Sequence, residues 1–151
     1  MTPRQMLETL NENRRLDTRE QVAAFEKALD LLATHQQAAE HLRELHLVLD
    51  DQTKQAEVMF GVIHLLESFD VERQLQAFLE ALPMLQKQAP GWVKTLNFRL
   101  LNDEASRSAY RAAYRAAGSP VRGQMSVALA EIIETEQSPL RDYACEVVTQ
   151  S

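Results

Sequence analysis

The chain has 151 residues, 45% of them apolar, and a net charge of −6 at pH 7. This length suits one domain with a sizeable core and is short for two, and the low glycine content favours helices over a strand-rich fold. The acidic balance disfavours nonspecific binding to nucleic acid, which depends on neutralising phosphates with lysine and arginine.

The N-terminus lacks the features of a targeting segment. The sequence MTPRQMLETL has no apolar signal core, and no uninterrupted apolar run approaches the roughly 18 residues that a membrane span requires. The lone cysteine, Cys145, cannot form an internal disulfide, which agrees with a reducing compartment. We therefore expect a cytoplasmic protein that does not associate with membranes.

Capping residues mark the first two predicted helices. Thr2 followed by Pro3 is typical of an N-cap and a first helical residue, and residues 18–21 (TREQ) fit a capping box. A third helix is predicted from about residue 37 to 49. The second helix has an apolar face formed by Val22, Phe25, Leu29 and Leu32.

The next predicted helix, from about Thr53, contains the most apolar segment of the chain, EVMFGVIHLLESF at residues 57–69. At about 100° per residue, its polar positions share an arc of roughly 80°. We therefore expect a central, largely buried helix with one polar strip. A glycine within a helix costs about 1 kcal/mol relative to alanine, and Gly61 would let another backbone or a partner's side chain come close. The strip consists of Lys54, Glu57, Gly61, His64 and Ser68.

A fifth helix is predicted to begin after Asp70 as its cap, and Pro83 within its pattern predicts a kink or a break. The segment 88–91 is the clearest candidate for a linker. Trp92, which follows it, is more typical of a core anchor than of an interface residue.

Four further helices complete the prediction. Two cover residues 92–101 and 103–117, and Gly118 is predicted to end the second of them. The pairs Ser119-Pro120 and Ser138-Pro139 predict the starts of the last two.

These elements predict an all-α fold of about eight short antiparallel helices. The sequence leaves open whether they form a compact bundle or a short HEAT-like stack of helix pairs. We expect residues 1–151 to form a single domain, with the possible linker near 88–91.

Charge is segregated along the chain. Residues 50–72 contain six acidic residues and only Lys54 among lysines and arginines, whereas residues 94–122 contain six basic and two acidic residues. A clustered set of carboxylates fits a protein partner with a basic surface, because opposite charges accelerate association. An ordinary solvated face is the alternative. The predicted contact residues are Asp50, Asp51, Glu57, Gly61, His64, Glu67, Asp70 and Glu72.

Catalytic and metal-binding patterns are weak. His41 with Glu44, and His64 with Glu67, place histidine and glutamate three residues apart, but in the opposite order to the Glu-x-x-His pairs of di-iron bundles. The HExxH, GxSxG and phosphate-loop motifs are absent from the sequence. We expect no catalytic residues, no metal and no cofactor.

One helix carries a basic stripe flanked by Tyr110 and Tyr114. Its arginines could contact RNA or phosphate, but a solvated face or pairing with nearby carboxylates is the more ordinary explanation. The stripe consists of Arg107, Arg111 and Arg115.

Several segments together resemble the immunity protein thirty family of bacterial polymorphic toxin systems. The resemblance covers roughly residues 40–118, and its most specific element is EVMFGVIH; the first forty residues match no family known to us. The segments are LDD at 49–51, EVMFGVIH at 57–64 with Glu67, ALP at 81–83, APGW at 89–92 and RLLND at 99–103.

This resemblance implies a small cytoplasmic helical protein that inhibits a cognate toxin delivered by contact-dependent or secretion machinery. Such an inhibitor occludes the active site or substrate path of the toxin and performs no chemistry. A helical scaffold or adaptor with another protein partner is the main alternative. A small metal-dependent helical enzyme is the third.

Overall fold

The computed structural model describes residues 1–149, so the last two residues of the predicted domain lie outside it. All regular elements of this range are helical, which confirms the all-α prediction, and they include nine α-helices. The α-helices are α1 (Pro3–Asn13), α2 (Arg19–Ala33), α3 (Leu42–His46), α4 (Ala56–Glu67), α5 (Val71–Gln88), α6 (Pro90–Asn102), α7 (Glu104–Ala116), α8 (Val121–Thr135) and α9 (Leu140–Val148).

The chain divides into two compact units, an N-terminal unit of residues 1–92 and a C-terminal unit from residue 93 onward. The boundary lies within α6, just after the predicted linker. Only Ala89 separates α5 from α6, so the linker is much shorter than predicted. No helix among residues 1–149 has both the length and the hydropathy needed to cross a membrane.

In the N-terminal unit, α1 packs on α2, α2 and α3 on α4, and α3 on α5. The predicted N-cap at Thr2 and the predicted capping box at Thr18 are present: the hydroxyls of these threonines accept hydrogen bonds from the backbone N–H groups of Gln5 and Gln21. The apolar face of α2 is directed inward as predicted. The largest fully buried side chains of this unit are Leu10, Leu16, Phe25, Leu32, Leu45, Leu49, Met59, Ile63, Leu66, Phe78 and Leu82.

The predicted third helix is interrupted. A 3₁₀ turn at Ala38–His41 precedes the five-residue α3, and α4 begins at Ala56 rather than near Thr53. Residues 47–55 form the loop between α3 and α4, and one of its backbone amides bonds to a distant part of the chain. The Lys54 N–H donates to the carbonyl oxygen of Arg15, 2.8 Å away.

A kink or a break was predicted at Pro83, and the break does not occur. Helix α5 continues through this residue to Gln88. Pro83 is exposed, whereas Leu82 and Leu85 on either side of it are buried. Packing of these neighbours outweighs the hydrogen bond that proline cannot donate.

In the C-terminal unit, α9 packs against α7 and α8. Burial raises the pKa of Tyr110, whose hydroxyl donates to the Asn97 side-chain oxygen at 2.5 Å. Asp103 caps α7, and hydrogen bonds from the Ser106 side chain and backbone lower the pKa of this carboxyl.

Three predicted helix boundaries in this unit are wrong in detail. Gly118 does not adopt the left-handed conformation of a glycine stop, because α7 ends at Ala116 and passes into extended backbone at Ala117. Pro120 and Pro139 occupy the cap positions of α8 and α9, so the serines before them are not the caps.

Candidate functional site

The predicted acidic surface separates into exposed and buried residues. Asp50 is 7% exposed and Gly61 is half-buried. The other predicted contact residues lie at the surface, on the 47–55 loop, on α4 and at the start of α5. They are Asp51, Glu57, His64, Glu67, Asp70 and Glu72.

Helix α4 has the predicted division between apolar and polar faces. Its residues Met59, Val62, Ile63, Leu65 and Leu66 are buried. Glu57 and His64 lie two turns apart on the exposed side. Glu57 is in the first turn, where a carboxylate interacts favourably with the helix dipole.

Gly61 lies where α4 packs closely against α2, another helix of the same unit. A Cβ atom added there would lie 2.9 Å from Cδ2 of Leu29 on α2. The missing side chain therefore serves the packing of α2 against α4, which explains a glycine in the middle of this helix.

The Asp50 carboxylate makes ion pairs and a hydrogen bond within the N-terminal unit. Its Oδ2 lies 3.4 Å from Nε of Arg14 and 3.3 Å from Nε of Arg15, and its Oδ1 accepts a hydrogen bond from the Gln52 backbone at 2.9 Å. A carboxylate with a side chain only 9% exposed and two guanidinium partners stabilises the 47–55 loop. It does not present its charge to solvent.

Asp51 provides an N-cap for α6 from a distant part of the sequence. Its carboxylate accepts hydrogen bonds from the backbone N–H groups of Gly91 at 2.8 Å and Trp92 at 3.1 Å. These are the second and third residues of α6, whose amides a local cap would normally satisfy. Ala89, at the local cap position, has no side-chain acceptor.

The same loop anchors the single tryptophan. Trp92 is 7% exposed, and its Nε1 donates to the carbonyl oxygen of Asp50 at 2.9 Å. Its ring system and the Phe60 ring of α4 form a T-shaped pair, with centroids 5.3 Å apart. The prediction of a core anchor is confirmed, and the contact connects the 47–55 loop to the middle of α4.

The acidic residues at the start of α5 remain at the surface. Asp70 caps α5 by accepting a hydrogen bond from the Arg73 backbone at 3.1 Å, and its other oxygen lies 3.5 Å from the Arg73 guanidinium. An exposed pair of this kind contributes little to stability. Glu72 is exposed in the first turn of the helix.

Within the C-terminal unit, the basic stripe is partly used for internal pairing. Nε of Arg107 lies 2.9 Å from a carboxylate oxygen of Glu146, and its guanidinium lies 3.9 Å from the centre of the Tyr143 ring. For Arg107 the explanation by pairing with a carboxylate is confirmed. Among residues 1–149, no three side chains of His, Cys, Asp or Glu are grouped as a metal site would require.

One chemically unusual residue, His46 at the end of α3, is absent from the sequence-based predictions. It is fully buried, and its Nδ1 donates to the carbonyl oxygen of Leu42 at 2.7 Å. Desolvation lowers the pKa of His46 to about 4, although the Leu42 hydrogen bond opposes this shift. Its Nε2 has no hydrogen-bond partner within the described residues. The one available signal was its position in the apolar run LHLVL.

The exposed carboxylates of α4 and α5 therefore lie beside a loop that is held by internal hydrogen bonds and ion pairs. The sequence profile of the Immunity protein 30 family matches residues 12–110, and the chain belongs to this family. No curated protein and no solved structure matches the chain. Membership in this family implies an immunity function and a toxin protein as the partner.

The matched region includes every predicted contact residue and extends from the end of α1 into α7. It begins at residue 12, so the prediction that the first forty residues match no family is wrong from that position onward. The match also ends earlier, at residue 110, than the predicted resemblance.

Proposed function

We propose that this protein is a cytoplasmic immunity protein that binds a cognate bacterial toxin domain and occludes its active site. It protects the producing cell and its siblings from a polymorphic toxin used in contact-dependent or secretion-based competition. The observation that supports this most strongly is the family match, which contains the whole acidic segment of residues 50–72.

The proposed contact surface consists of the exposed acidic side chains of α4 and of the start of α5, together with His64. Helix packing already fixes the backbone of these residues, so binding loses little conformational entropy in ordering it. Asp50 and Asp51 act on this surface mainly through the loop that they stabilise. The surface residues are Glu57, His64, Glu67, Asp70 and Glu72, with the exposed Asp51 of the 47–55 loop.

Inhibition is steric and electrostatic. A negative surface accelerates encounter with a basic toxin and fixes its orientation, and the bound helices then exclude substrate. The protein supplies no catalytic residue, metal or cofactor in this mechanism. Because exposed charges are screened by salt, the association rate falls as ionic strength rises.

Co-expression with the toxin domain encoded by a neighbouring gene tests this function. We expect the wild-type protein to restore growth and to co-purify with the toxin. An inactivated toxin that fails to co-purify, together with absent protection, would instead favour a scaffold or adaptor for another partner.

A further inference from the structure

A groove lies between two walls of the N-terminal unit, away from the polar strip of α4. One wall is the 3₁₀ turn with α3, and the other is the exposed side of α5. Its volume is about 390 Å³, within the usual range of binding clefts. The lining residues are Ala39, Glu40, Leu42, Arg43, Glu44, Arg73, Gln76, Ala77 and Glu80.

The groove has an apolar floor between charged rims. Leu42 and Ala77 form the floor and are 3% and 7% exposed, and the small side chain of Ala77 leaves space above it. The rings of His46 on α3 and Phe78 on α5 lie 5.9 Å apart and contribute to the packing of these two helices. The two walls are therefore held in place by the core.

The rim charges are mostly not neutralised within the chain. Among the ion pairs of residues 1–149, none involves Glu40, Arg43 or Glu44. Glu80 accepts a hydrogen bond from the neutral Gln76 side chain at 3.3 Å. The Arg73 guanidinium, in contrast, lies beside the Asp70 carboxylate. Carboxylates therefore dominate the charge that the groove offers to a partner.

We propose that this groove is a second contact surface for the toxin and accepts a segment that carries lysine or arginine side chains. The inference rests on the proposed function and adds a site to it. Cationic side chains of the segment reach the carboxylates of Glu40, Glu44 and Glu80, while its apolar atoms cover Leu42 and Ala77. From Arg73 to Glu80 the wall is about 10 Å long, enough for about two turns of a helix.

Substitutions that make the rim of the groove more positive or more negative test this contact surface. The probe is the inactivated toxin domain encoded by the neighbouring gene, with affinity measured at low and high salt. We expect Glu44→Lys with Glu80→Lys to weaken binding about tenfold at low salt and less at high salt. Arg43→Glu, which removes the rim cation that has no ion-pair partner among residues 1–149, tightens binding. The matched control is Glu131→Lys with Glu134→Lys, two exposed positions on α8 outside the family match.

The results separate this inference from the proposed function. If the wild-type protein binds the toxin and the Glu44 and Glu80 double variant binds equally well, the groove is not a contact surface, although the function stands. If the wild type does not bind at all, both proposals fail. If the double variant does not fold, the affinity of Arg43→Glu for the toxin tests the inference. Affinity equal to or weaker than that of the wild type would overturn it.

Discussion

At the scale of single residues, two adjacent aspartates have different structural roles. Asp50 lies between two arginines, and Asp51 caps α6 by binding the amide of Gly91, 40 residues later in the chain. The sequence shows both as part of an acidic segment. It could not show their partners, because the arginines at 14 and 15 and the amides of α6 approach only in the folded chain.

Removing the remote cap should destabilise the fold. We expect Asp51→Ala to lower the free energy of unfolding by about 1–2 kcal/mol, because two amides at the start of α6 lose their acceptor. The neighbouring exposed residue provides the control, and Gln52→Ala should change stability by less than about 0.5 kcal/mol. Urea unfolding measures both values. Equal values for the two variants would show that the cap contributes nothing.

His46 should make stability depend on pH. Below its ordinary pKa of 6.5 the unfolded chain binds a proton at this residue, whereas the folded chain does so only below about 4. The contribution of neutral His46 to the free energy of unfolding is therefore complete above pH 6.5. It falls as the pH is lowered toward 4, by about 3 kcal/mol in total.

The variant His46→Leu removes this titration while keeping an apolar side chain of similar size. We expect the loss of unfolding free energy between about pH 7.5 and about pH 5 to be smaller in the variant than in the wild type. Urea unfolding at the two pH values gives the comparison. An identical pH dependence in both proteins would refute the assignment to His46.

At the scale of elements, the sequence predicted helix boundaries that depend on nearby residues better than those that depend on long-range contacts. The starts of α1, α2 and α5 were predicted correctly because each cap and the amides it binds lie within three residues. The loop before α4 was predicted too short, because its full extent depends on contacts such as the one between Lys54 and the Arg15 carbonyl. Sequence periodicity contains no information about such partners.

Pro83 destabilises helix α5, and a substitution there should increase the stability of the protein. We expect Pro83→Ala to raise the free energy of unfolding by about 1–2 kcal/mol, since alanine restores the missing N–H and favours the helix. The gain is smaller than the full difference in helix propensity because proline also restricts the unfolded chain.

Thermal or urea unfolding provides the measurement for Pro83→Ala. Met84→Ala is the control, because Met84 is 52% exposed on the same helix and should change stability little. A decrease in stability for Pro83→Ala would mean that the proline contributes packing that its exposure does not suggest.

At the scale of the whole molecule, the sequence predicted the fold class and the family, and it placed the acidic segment within the region that the family match covers. It could not distinguish exposed carboxylates from those used for folding. Asp50 is buried and Gly61 packs on Leu29, so the predicted contact residues that lie at the surface are Asp51, Glu57, His64, Glu67, Asp70 and Glu72. The groove beside α5 was also invisible, because its two walls are about 30 residues apart in sequence.

The affinity for the inactivated toxin domain, measured at low and high salt, tests most directly whether the acidic surface binds a toxin. The test variant is Glu57→Lys with Glu72→Lys, and the control is Glu20→Lys with Glu104→Lys. All four are exposed acidic residues in the first turns of their helices. The control therefore matches both the change in net charge and the effect on the helix dipole.

We predict that the test variant binds about tenfold more weakly than the control at low salt, and that the difference narrows at high salt. Equal affinities for test variant, control and wild type, with the same salt dependence, would contradict a toxin-binding role for the acidic surface.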